Sequence, residues 1–568
     1  MIVGIDLGTT NSAIAIWRDG EAVLIPNALG DMLTPSAVSI AEDGSVIVGM
    51  AARDRQSTHP GATATAFKRF MGTRQTVTLG KTRFTAEDLS AIVLANLKAD
   101  AEAFLGEAVT GAVITVPAYF NDRQRKATRR AGELAGLKVE RLINEPTAAA
   151  LAYGIQTREE KEPFLVFDLG GGTFDVSIVE MFDGVMEVRA SAGDNRLGGE
   201  DFNETVIDLA KARIDPAGDL AKVDPVLLRE LLRAAAERCR RALSEAEEAP
   251  FTVTALGQDF TTTITASEFE TQAAPLLARL REPVLRSLRD SDIRVDTLSE
   301  VILVGGSTRM PIVRRTITRM FGRFPNAAVH PDHAVALGAA VQAGLKARDA
   351  ALDEIRMTDV CPFTLGIDHS VGDGRGGFRH GLFSPIIERN TPIPASRVGY
   401  YQTIADNQRQ LEVQIYQGEA REVQANVKLG SLRVPLPAGK AGEIGVEIRF
   451  SYDTSGLLEV DVNVPQAGTQ RNLVIVDDDE APNAAEVATR RAALAALKRH
   501  PREESQNQAI MARAARCYEG YIGERRDMVG TWTAQFEAAL ETQDPRIIDA
   551  ARAQFDAALN ELDGDRYL

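Results

Sequence analysis

The sequence has little of what marks secreted, membrane or nucleic-acid-binding proteins. Only three cysteines occur in 568 residues, Cys239, Cys361 and Cys517. They lie far apart and match no metal or redox spacing, so we expect buried or unreactive thiols in a reducing compartment. No apolar run approaches the roughly 20 residues that span a bilayer. Met1 leads straight into an apolar stretch and leaves no room for a signal peptide, so we expect a soluble, cytoplasmic protein without membrane contact.

An excess of basic residues is also missing. The chain has 64 Lys and Arg against 80 Asp and Glu, which gives a net charge of -16. Because nucleic-acid binding needs a basic surface to neutralise phosphates, this balance argues against a nucleic-acid partner. The length exceeds what one hydrophobic core can organise, and it predicts three or more domains.

What the sequence does have is one type of glycine-containing turn, twice. DLGTTN at 6–11 and DLGGGTFD at 168–175 each follow an apolar strand and precede another apolar stretch. An acid, then glycines and hydroxyls, suits magnesium and polyphosphate, because glycines let backbone N–H groups approach closely. A single turn of this kind more often only closes a β-hairpin. Two copies in equivalent contexts predict a nucleotide clamped between two related half-domains.

Hydrophobic periodicity divides the chain into three parts. Up to about residue 350, apolar strands alternate with helical stretches, which is typical of an α/β fold. After Pro362, apolar and polar residues alternate and predict an all-β domain that ends near Val476. Residues 482–562 are alanine-rich and helix-patterned, with interruptions at Pro501 and Pro545. The predicted helices of the first part are 86–104, 122–135, 146–153 and 226–246, and its predicted buried strands include 113–116 and 301–304.

Ordered motifs over nearly the whole chain resemble one family. In the first part these are GIDLGTTNS (4–12), VPAYFNDRQRKAT (116–128), INEPTAAALAYG (143–154), FDLGGGTFDVS (167–177), LGGEDFN (197–203) and ILVGGSTRMP (302–311). TPIP (391–394), ADNQ (405–408) and IYQGE (415–419) follow in the β part. Together they resemble the seventy-kilodalton heat-shock chaperones, the DnaK-like proteins, and most of all the HscC-type members of that family.

The resemblance implies a multidomain fold. Residues 1–350 would form an actin-like α/β ATPase domain with two lobes built on ribonuclease H-like repeats. Residues 351–360 would be an interdomain linker, 361–476 a β-sandwich substrate-binding domain and 477–568 a short α-helical lid. The closing helices are short, which favours a compact bundle and a lid that closes incompletely.

The resemblance also implies a site for ATP, ADP and Mg²⁺. Asp6 and Asp168 match acids that hold magnesium through water. Lys68, Glu145, Thr173 and Asp175 match the catalytic groups around the γ-phosphate and the attacking water. Without the resemblance, Lys68 would be interpreted as a surface lysine. The matching phosphate-loop residues are Gly8, Thr9, Thr10, Asn11, Gly170, Gly171, Gly172 and Thr173, with Gly198 and Gly199 beside them.

Further matches concern the adenosine end of the nucleotide and signalling between domains. Glu237, Arg240, Arg241 and Ser244 share one helical face, a spacing that usually means only a solvated charged stripe. Gly305, Gly306, Ser307, Arg309 and Asp332 match the opposite wall, so two arginines could sandwich the purine. Pro117, Arg125 and Arg141 match residues that relay the nucleotide state or meet a J-domain partner.

In the β part, the resemblance implies a groove for extended peptides. The matching positions are Ile367, Tyr401, Ile404, Leu411 and Val413, and the alternative is an ordinary β-sandwich core. Ser370 stands where DnaK has an arch methionine, and the glycine-rich stretch 372–377 follows it, so the client preference of the family does not transfer directly.

The function that follows is an ATP-dependent chaperone for unfolded or specific clients, working with a J-domain co-chaperone. The linker stretch 355–358 contains Arg356 and Thr358 in place of apolar residues, and the segment between Ser244 and Val301 is shorter than in DnaK. Both differences favour weak coupling and exchange without a dedicated nucleotide exchange factor. The alternatives are an actin-like kinase and a filament-forming ATPase, and both leave the chain after Pro362 unexplained.

Overall fold

The structure of the protein is a computed structural model, and its described residues form two compact units. They are 1–56, 58–157, 161–182, 185–326, 330–347, 356–372, 377–453, 456–475, 502 and 505–564. The first unit is Met1–Phe363, and the second begins at Thr364. None of the described helices is long and apolar enough to cross a membrane. All three cysteines are buried thiols.

The first unit mixes strands and helices, as its alternating periodicity predicts. Its strands are β1 (Ile2–Asp6), β2 (Asn11–Arg18), β3 (Glu21–Ile25), β4 (Thr34–Pro35), β5 (Ala37–Ile40), β6 (Val46–Val48), β7 (Thr63–Thr65), β8 (Thr76–Leu79), β9 (Thr82–Thr85), β10 (Gly111–Val116), β11 (Lys138–Asn144), β12 (Lys161–Leu169), β13 (Phe174–Phe182), β14 (Val185–Asp194), β15 (Glu248–Ala255), β16 (Gln258–Thr265), β17 (Val301–Val304) and β18 (Arg356–Val360). Its helices are α1 (Met50–Asp54), α2 (Ala86–Leu105), α3 (Asp122–Leu134), α4 (Glu145–Thr157), α5 (Gly199–Ile214), α6 (Pro225–Ala242), α7 (Ala266–Arg279), α8 (Arg281–Ser291), α9 (Pro311–Phe321) and α10 (Ala334–Ala347).

Two sheets of the first unit share one strand arrangement. In the first sheet the order is β11-β10-β1-β2-β3, with β1 parallel to β10 and antiparallel to β2. The second contains β17-β12-β13-β14-β18 in that order, with β12 parallel to β17 and antiparallel to β13. The two glycine-containing turns join β1 to β2 and β12 to β13. They therefore occupy equivalent places in two topologically related halves.

Small side chains let α4 and α10 pack closely together. A Cβ added to Gly338 on α10 would lie 1.6 Å from the carbonyl oxygen of Ala148 on α4. A Cβ added to Gly4 on β1 would lie 2.1 Å from the backbone nitrogen of Ala340. No larger residue fits at either glycine unless the backbone moves. The small residues of both helices therefore set the distance between these elements at the centre of the unit.

Polar caps fix where the long helices begin. Thr85 and Asp88 form a reciprocal capping box at the start of α2, and Asn121 and Gln124 do so at the start of α3. The predicted helices 86–104 and 122–135 therefore begin at the observed residues. Helix α6 ends at Ala242, earlier than the predicted 226–246, so Ser244 lies in the turn that follows it.

The second unit begins with two four-stranded antiparallel sheets. The strands of this unit are β19 (Leu365–Gly372), β20 (Phe378–Ile387), β21 (Pro392–Ile393), β22 (Ala395–Gln402), β23 (Gln410–Gln417), β24 (Val427–Pro435), β25 (Gly445–Tyr452), β26 (Leu458–Val464) and β27 (Thr469–Ile475). The orders in the two sheets are β20-β19-β23-β24 and β22-β25-β26-β27. The alternating runs at 411–415, 446–450 and 458–464 fall in β23, β25 and β26.

The second unit also contains the helices α11 (Ser505–Gly520), α12 (Glu524–Glu541) and α13 (Pro545–Gly564). They share a core that includes Ala514, Val529, Phe536, Phe555 and Leu559. The stretch 482–498, predicted to be the first helix of this region, lies outside the described residues. The three helices that are described pack against one another through this core.

Candidate functional site

A large cavity lies in the first unit, where both glycine-containing turns reach it. Its volume is about 840 Å³. Gly172, Gly198 and Asp175 are the predicted nucleotide and catalytic residues that do not line it. The predicted residues that do are Asp6, Gly8, Thr9, Thr10, Asn11, Lys68, Glu145, Asp168, Gly170, Gly171, Thr173, Gly199, Glu237, Arg240, Arg241, Ser244, Gly305, Gly306, Ser307, Arg309 and Asp332.

The two turns touch each other at one end of the cavity. A Cβ on Gly171 would lie 2.1 Å from Oγ1 of Thr10, so only glycine permits this approach. A Cβ on Gly198 would lie 2.5 Å from the backbone nitrogen of Gly172. Gly172 and Gly198 are thus packed against each other behind the cavity wall. They shape the second turn without lining the cavity.

Buried carboxylates collect beneath the turns. Burial is the main cause that raises the pKa of Asp6 to about 7, and the negative charge of Glu145 raises it further. Burial and the charges of Glu145, Asp175 and Asp6 hold the pKa of Asp168 well above its usual range. Oδ2 of Asp168 is buried and has no hydrogen-bond partner among the described residues. A cluster of this kind stores electrostatic repulsion that a cation would relieve.

Lys68 is the cation that the fold provides at this point. Its Nζ lies 2.7 Å from Oε1 of Glu145 and 5.6 Å from the ring centroid of Phe120. Lys68 is 3% exposed, so it is not the surface lysine that its local sequence suggests. A short 3-10 helix, Phe67–Phe70, carries it into the cavity wall.

Asp175 stands just behind the wall. Its Oδ1 accepts a hydrogen bond of 3.2 Å from the backbone nitrogen of Tyr119. Burial first, and then the charge of Glu145, raises its pKa to about 8. Thr173, its neighbour on the turn, does line the cavity.

The end of α6 forms the other end of the cavity. Arg240 donates a 2.8 Å hydrogen bond to Oδ1 of Asn203, and burial lowers the pKa of this arginine. Arg241 lies 2.7 Å from Oε1 of Glu237. Arg53 binds the same carboxylate oxygen at 2.8 Å.

Asn203 and Arg53 were not among the predicted residues, although both line the cavity. Asn203 lies inside the LGGEDFN motif, so the motif could have found it. Arg53 has no motif around it, and its contact with Glu237 spans 184 residues of sequence. Only the folded arrangement identifies it.

The wall opposite α6 follows β17. Oγ of Ser307 donates a 2.8 Å hydrogen bond to the backbone oxygen of Gly170, which ties this wall to the second turn. Arg309 lies 2.5 Å from Oδ2 of Asp332. His330 and His333 also line the cavity here, and sequence reasoning missed them.

The residues predicted to relay signals lie away from the cavity wall. Arg125 donates a 2.6 Å hydrogen bond to Oδ1 of Asn144, the residue before Glu145. The amide of Asn144 donates to the buried carboxylate of Asp359 on β18, at 3.2 and 3.3 Å. Arg141 contacts Gln342 at 3.1 Å, and the backbone oxygen of Pro117 accepts from Phe120 at 3.1 Å.

Part of the predicted linker is a strand of the first unit. Residues 351–355 lie outside the described residues, but Arg356, Met357 and Thr358 of β18 pair in parallel with Val185, Met186 and Glu187 of β14. Burial raises the pKa of Asp359, while the charges of Arg141 and Arg125 lower it. Because strand pairing uses the backbone, polar side chains at 356 and 358 do not prevent it.

The predicted groove residues of the second unit fall into two groups. Ile367 and Val413 are 3% and 1% exposed, so they belong to the β-sandwich core. Tyr401, Ile404 and Leu411 are half-buried and keep apolar surface available. The oxygens of the Tyr401 and Ser384 hydroxyls are 3.0 Å apart, which fixes one side of this surface. Residues 373–376 of the glycine-rich stretch after Ser370 lie outside the described residues.

A comparison with protein-family models gives one match, described as Hsp70 protein, that covers residues 2–565. The match includes both turns, every residue of the cavity wall and the described strands and helices of the second unit.

Proposed function

Because this chain belongs to the Hsp70 family, we propose that it is an ATP-dependent chaperone that hydrolyses ATP in the cavity of its first unit. In this proposal the second unit holds extended apolar segments of unfolded or specific client proteins. The observation that supports it most is the convergence of two glycine-containing turns, buried carboxylates and Lys68 on one cavity. Members of the family couple ATP hydrolysis to chaperone activity. We propose the same coupling for the residues of this chain.

The turns supply the phosphate end of the proposed site. The glycines let the backbone N–H groups of both turns face a polyphosphate at close range. The hydroxyls of Thr9, Thr10 and Thr173 add donors from side chains. One polyphosphate held between the two equivalent turns would link the two halves. The relative position of the halves would then depend on which phosphates are present.

The carboxylates fit a hydrated Mg²⁺ ion. Among the described residues, no group of three or more His, Cys, Asp or Glu is arranged to hold a metal ion. We propose that Asp6 and Asp168 hold it in part through water, as magnesium prefers. The partnerless Oδ2 of Asp168 and the raised pKa values of both acids suit a cation. When bound, Mg²⁺ neutralises phosphate charge.

The side chains beneath the two turns would carry out the hydrolysis. Lys68 would stabilise the negative charge that develops on the transferring phosphoryl group, because a buried charge acts strongly in a water-poor site. Glu145 holds the ammonium in place and, with Thr173 and Asp175, would orient the attacking water. Asp175 receives a backbone hydrogen bond from Tyr119, so its carboxyl group has a fixed direction.

The adenosine would lie between α6 and the wall after β17. Arg241, held by Glu237, and Arg309, held by Asp332, would offer flat guanidinium groups to the purine from two sides. Arg240, held by Asn203, would contact the ribose or a phosphate. Arg53 and Arg241 share the carboxylate of Glu237, so they join two parts of the cavity edge.

Nucleotide state would reach the clients through β18. The hydrogen bonds from Arg125 to Asn144 and from Asn144 to Asp359 connect this strand to the residue beside Glu145. A change in the position of Glu145 can thus stabilise or destabilise the pairing of β18 with β14. Pro117 and Arg141 would support the same path, and a J-domain co-chaperone would act on it. The pairing of β18 supports stronger coupling than the polar residues of the linker suggest.

Clients would contact Tyr401, Ile404 and Leu411, with Ile367 and Val413 beneath them. Extended peptides pair with strand edges through their backbone and place apolar side chains in a pocket. The proposal further takes the chain as HscC-type, independent of a dedicated exchange factor and cytoplasmic, and its buried thiols are consistent with a reducing compartment.

The binding of a fluorescent unfolded apolar peptide, with ATP and with ADP, tests this function. We expect weaker peptide binding with ATP than with ADP. An actin-like kinase predicts no peptide binding in either state, and a filament-forming ATPase predicts sedimentation that depends on nucleotide.

A further inference from the structure

Two histidines on the cavity wall have no role in the mechanism above. His330 and His333 both line the cavity, and their rings stack with centroids 3.9 Å apart and planes 25° apart. The chain has only six histidines in 568 residues. Two of them therefore meet at the end of the cavity that Arg309 and Asp332 also line.

His330 contacts the guanidinium group that faces this end. Nη2 of Arg309 lies 3.0 Å from Nε2 of His330 and 2.5 Å from Oδ2 of Asp332. A guanidinium group carries only donors and stays charged at all ordinary pH values. The nitrogen of His330 must therefore be the acceptor, which requires a neutral ring with its proton on Nδ1.

We propose that His330 is a proton-sensitive positioning residue for Arg309, and that protonation of His330 weakens binding of the adenosine part of the nucleotide. The neutral ring and Asp332 both accept a hydrogen bond from Nη2 of this guanidinium group. A protonated ring loses the lone pair that accepts the hydrogen bond and places a second positive charge beside the first. This inference rests on the proposed function, since it assumes that the cavity binds an adenine nucleotide.

Charged and titratable groups surround His330. Among the described residues, those that face it are Arg309, Asp332 and His333. Burial lowers the pKa of His333, and a positive charge on His330 lowers it further. Arg240 and Arg241 add positive charge at the same end of the cavity, with Glu245 as a further acid.

Adenosine is the probe that isolates this effect. Asp6 and Asp175 titrate near neutral pH and lie at the phosphate end, and the phosphates of ADP titrate as well, so ADP would mix several pH effects. Calorimetry of adenosine binding should be made near pH 8 and near pH 5.5, which bracket the range in which histidine changes charge. The variants are His330→Asn, whose side chain cannot titrate, and His59→Asn, which changes an exposed histidine outside the cavity. Thermal unfolding at both pH values checks that each variant is folded.

The parent protein and His59→Asn should bind adenosine roughly tenfold more weakly near pH 5.5, which is the effect of losing one hydrogen bond to a charged group. For His330→Asn the ratio of the two affinities should fall to about one, whatever its absolute affinity. A parent affinity that is flat or rises at low pH would overturn the inference, and so would an unchanged ratio in His330→Asn. Failure of the parent to bind adenosine near pH 8 would instead contradict the proposed nucleotide site.

Discussion

Lys68 donates a 2.7 Å hydrogen bond to Glu145, and the fold buries both residues although 77 positions separate them. A buried ion pair costs desolvation and is seldom kept for stability alone. Here the pair lies among acids whose pKa values burial raises, on the wall of a cavity that two glycine-containing turns enter. The arrangement is suited to a reaction in which negative charge develops and moves.

The first prediction concerns the charge of Lys68. Lys68→Ala should lower the single-turnover rate of ATP hydrolysis by about 10²–10³-fold, the usual loss when one preorganised charge is removed. ATP affinity should change little, because Arg241 and Arg309 at the other end remain. The exposed Lys81→Ala is the matched control and should hydrolyse at the parental rate. A parental rate in Lys68→Ala would show that Lys68 is not at the reacting phosphate.

The second prediction concerns pH and Asp175. Its pKa is about 8 in the folded protein against an ordinary 3.8, so the folded state keeps a proton that the unfolded state has lost. Stability of the nucleotide-free protein should therefore fall as pH rises from about 4 to about 8, by about 1 kcal/mol per pH unit for one such group. Asp175→Asn keeps the acceptor for Tyr119 and cannot titrate. Denaturant unfolding at several pH values should show a flatter profile for this variant, and identical profiles would contradict the assignment.

The third prediction separates groove from core in the second unit. Leu411 is half-buried, so Leu411→Phe should fill the groove and weaken peptide binding with little change in melting temperature. Val413 is 1% exposed, and Val413→Phe should cost roughly 1–3 kcal/mol of stability through overpacking. Melting curves and peptide titrations of both variants make the comparison. If Leu411→Phe melts early and binds peptide normally, Leu411 is a core residue.

The fourth prediction concerns the docked strand. Trypsin should cleave after Arg356 slowly while β18 is paired with β14, because a paired strand does not fit a protease site. Asp359→Ala removes the carboxylate that Asn144 holds and should speed this cleavage severalfold with ATP present. Asp461→Ala, at a partly exposed position on β26, is the matched control. Equal cleavage rates in the parent and in Asp359→Ala would show that the hydrogen bonds from Asn144 to Asp359 do not contribute to the coupling.

The sequence predicts the parts of this protein that depend on local pattern. The turns at 6–11 and 168–175 and the starts of α2 and α3 follow from glycines and caps within a few residues of each other. Contacts between distant elements could not be predicted in the same way. Arg53 meets Glu237, and Asn144 meets Asp359, only because separate helices and strands pack together, and no short motif records that packing.

The same limit applies to the linker and to the histidines. The polar side chains of Arg356 and Thr358 suggest weak docking, yet the pairing of β18 uses backbone atoms that every sequence has. His330 and His333 are three residues apart and look like ordinary surface residues. Their importance depends on Arg309, which another turn of the chain brings beside them.

The steady-state rate of ATP hydrolysis by the full chain, with and without a saturating unfolded apolar peptide, tests the central claim most directly. The account predicts that the peptide raises the rate severalfold in the parent protein and not in Leu411→Phe, because the groove and the ATP site act on each other. Hydrolysis that is indifferent to peptide in the parent protein would contradict it.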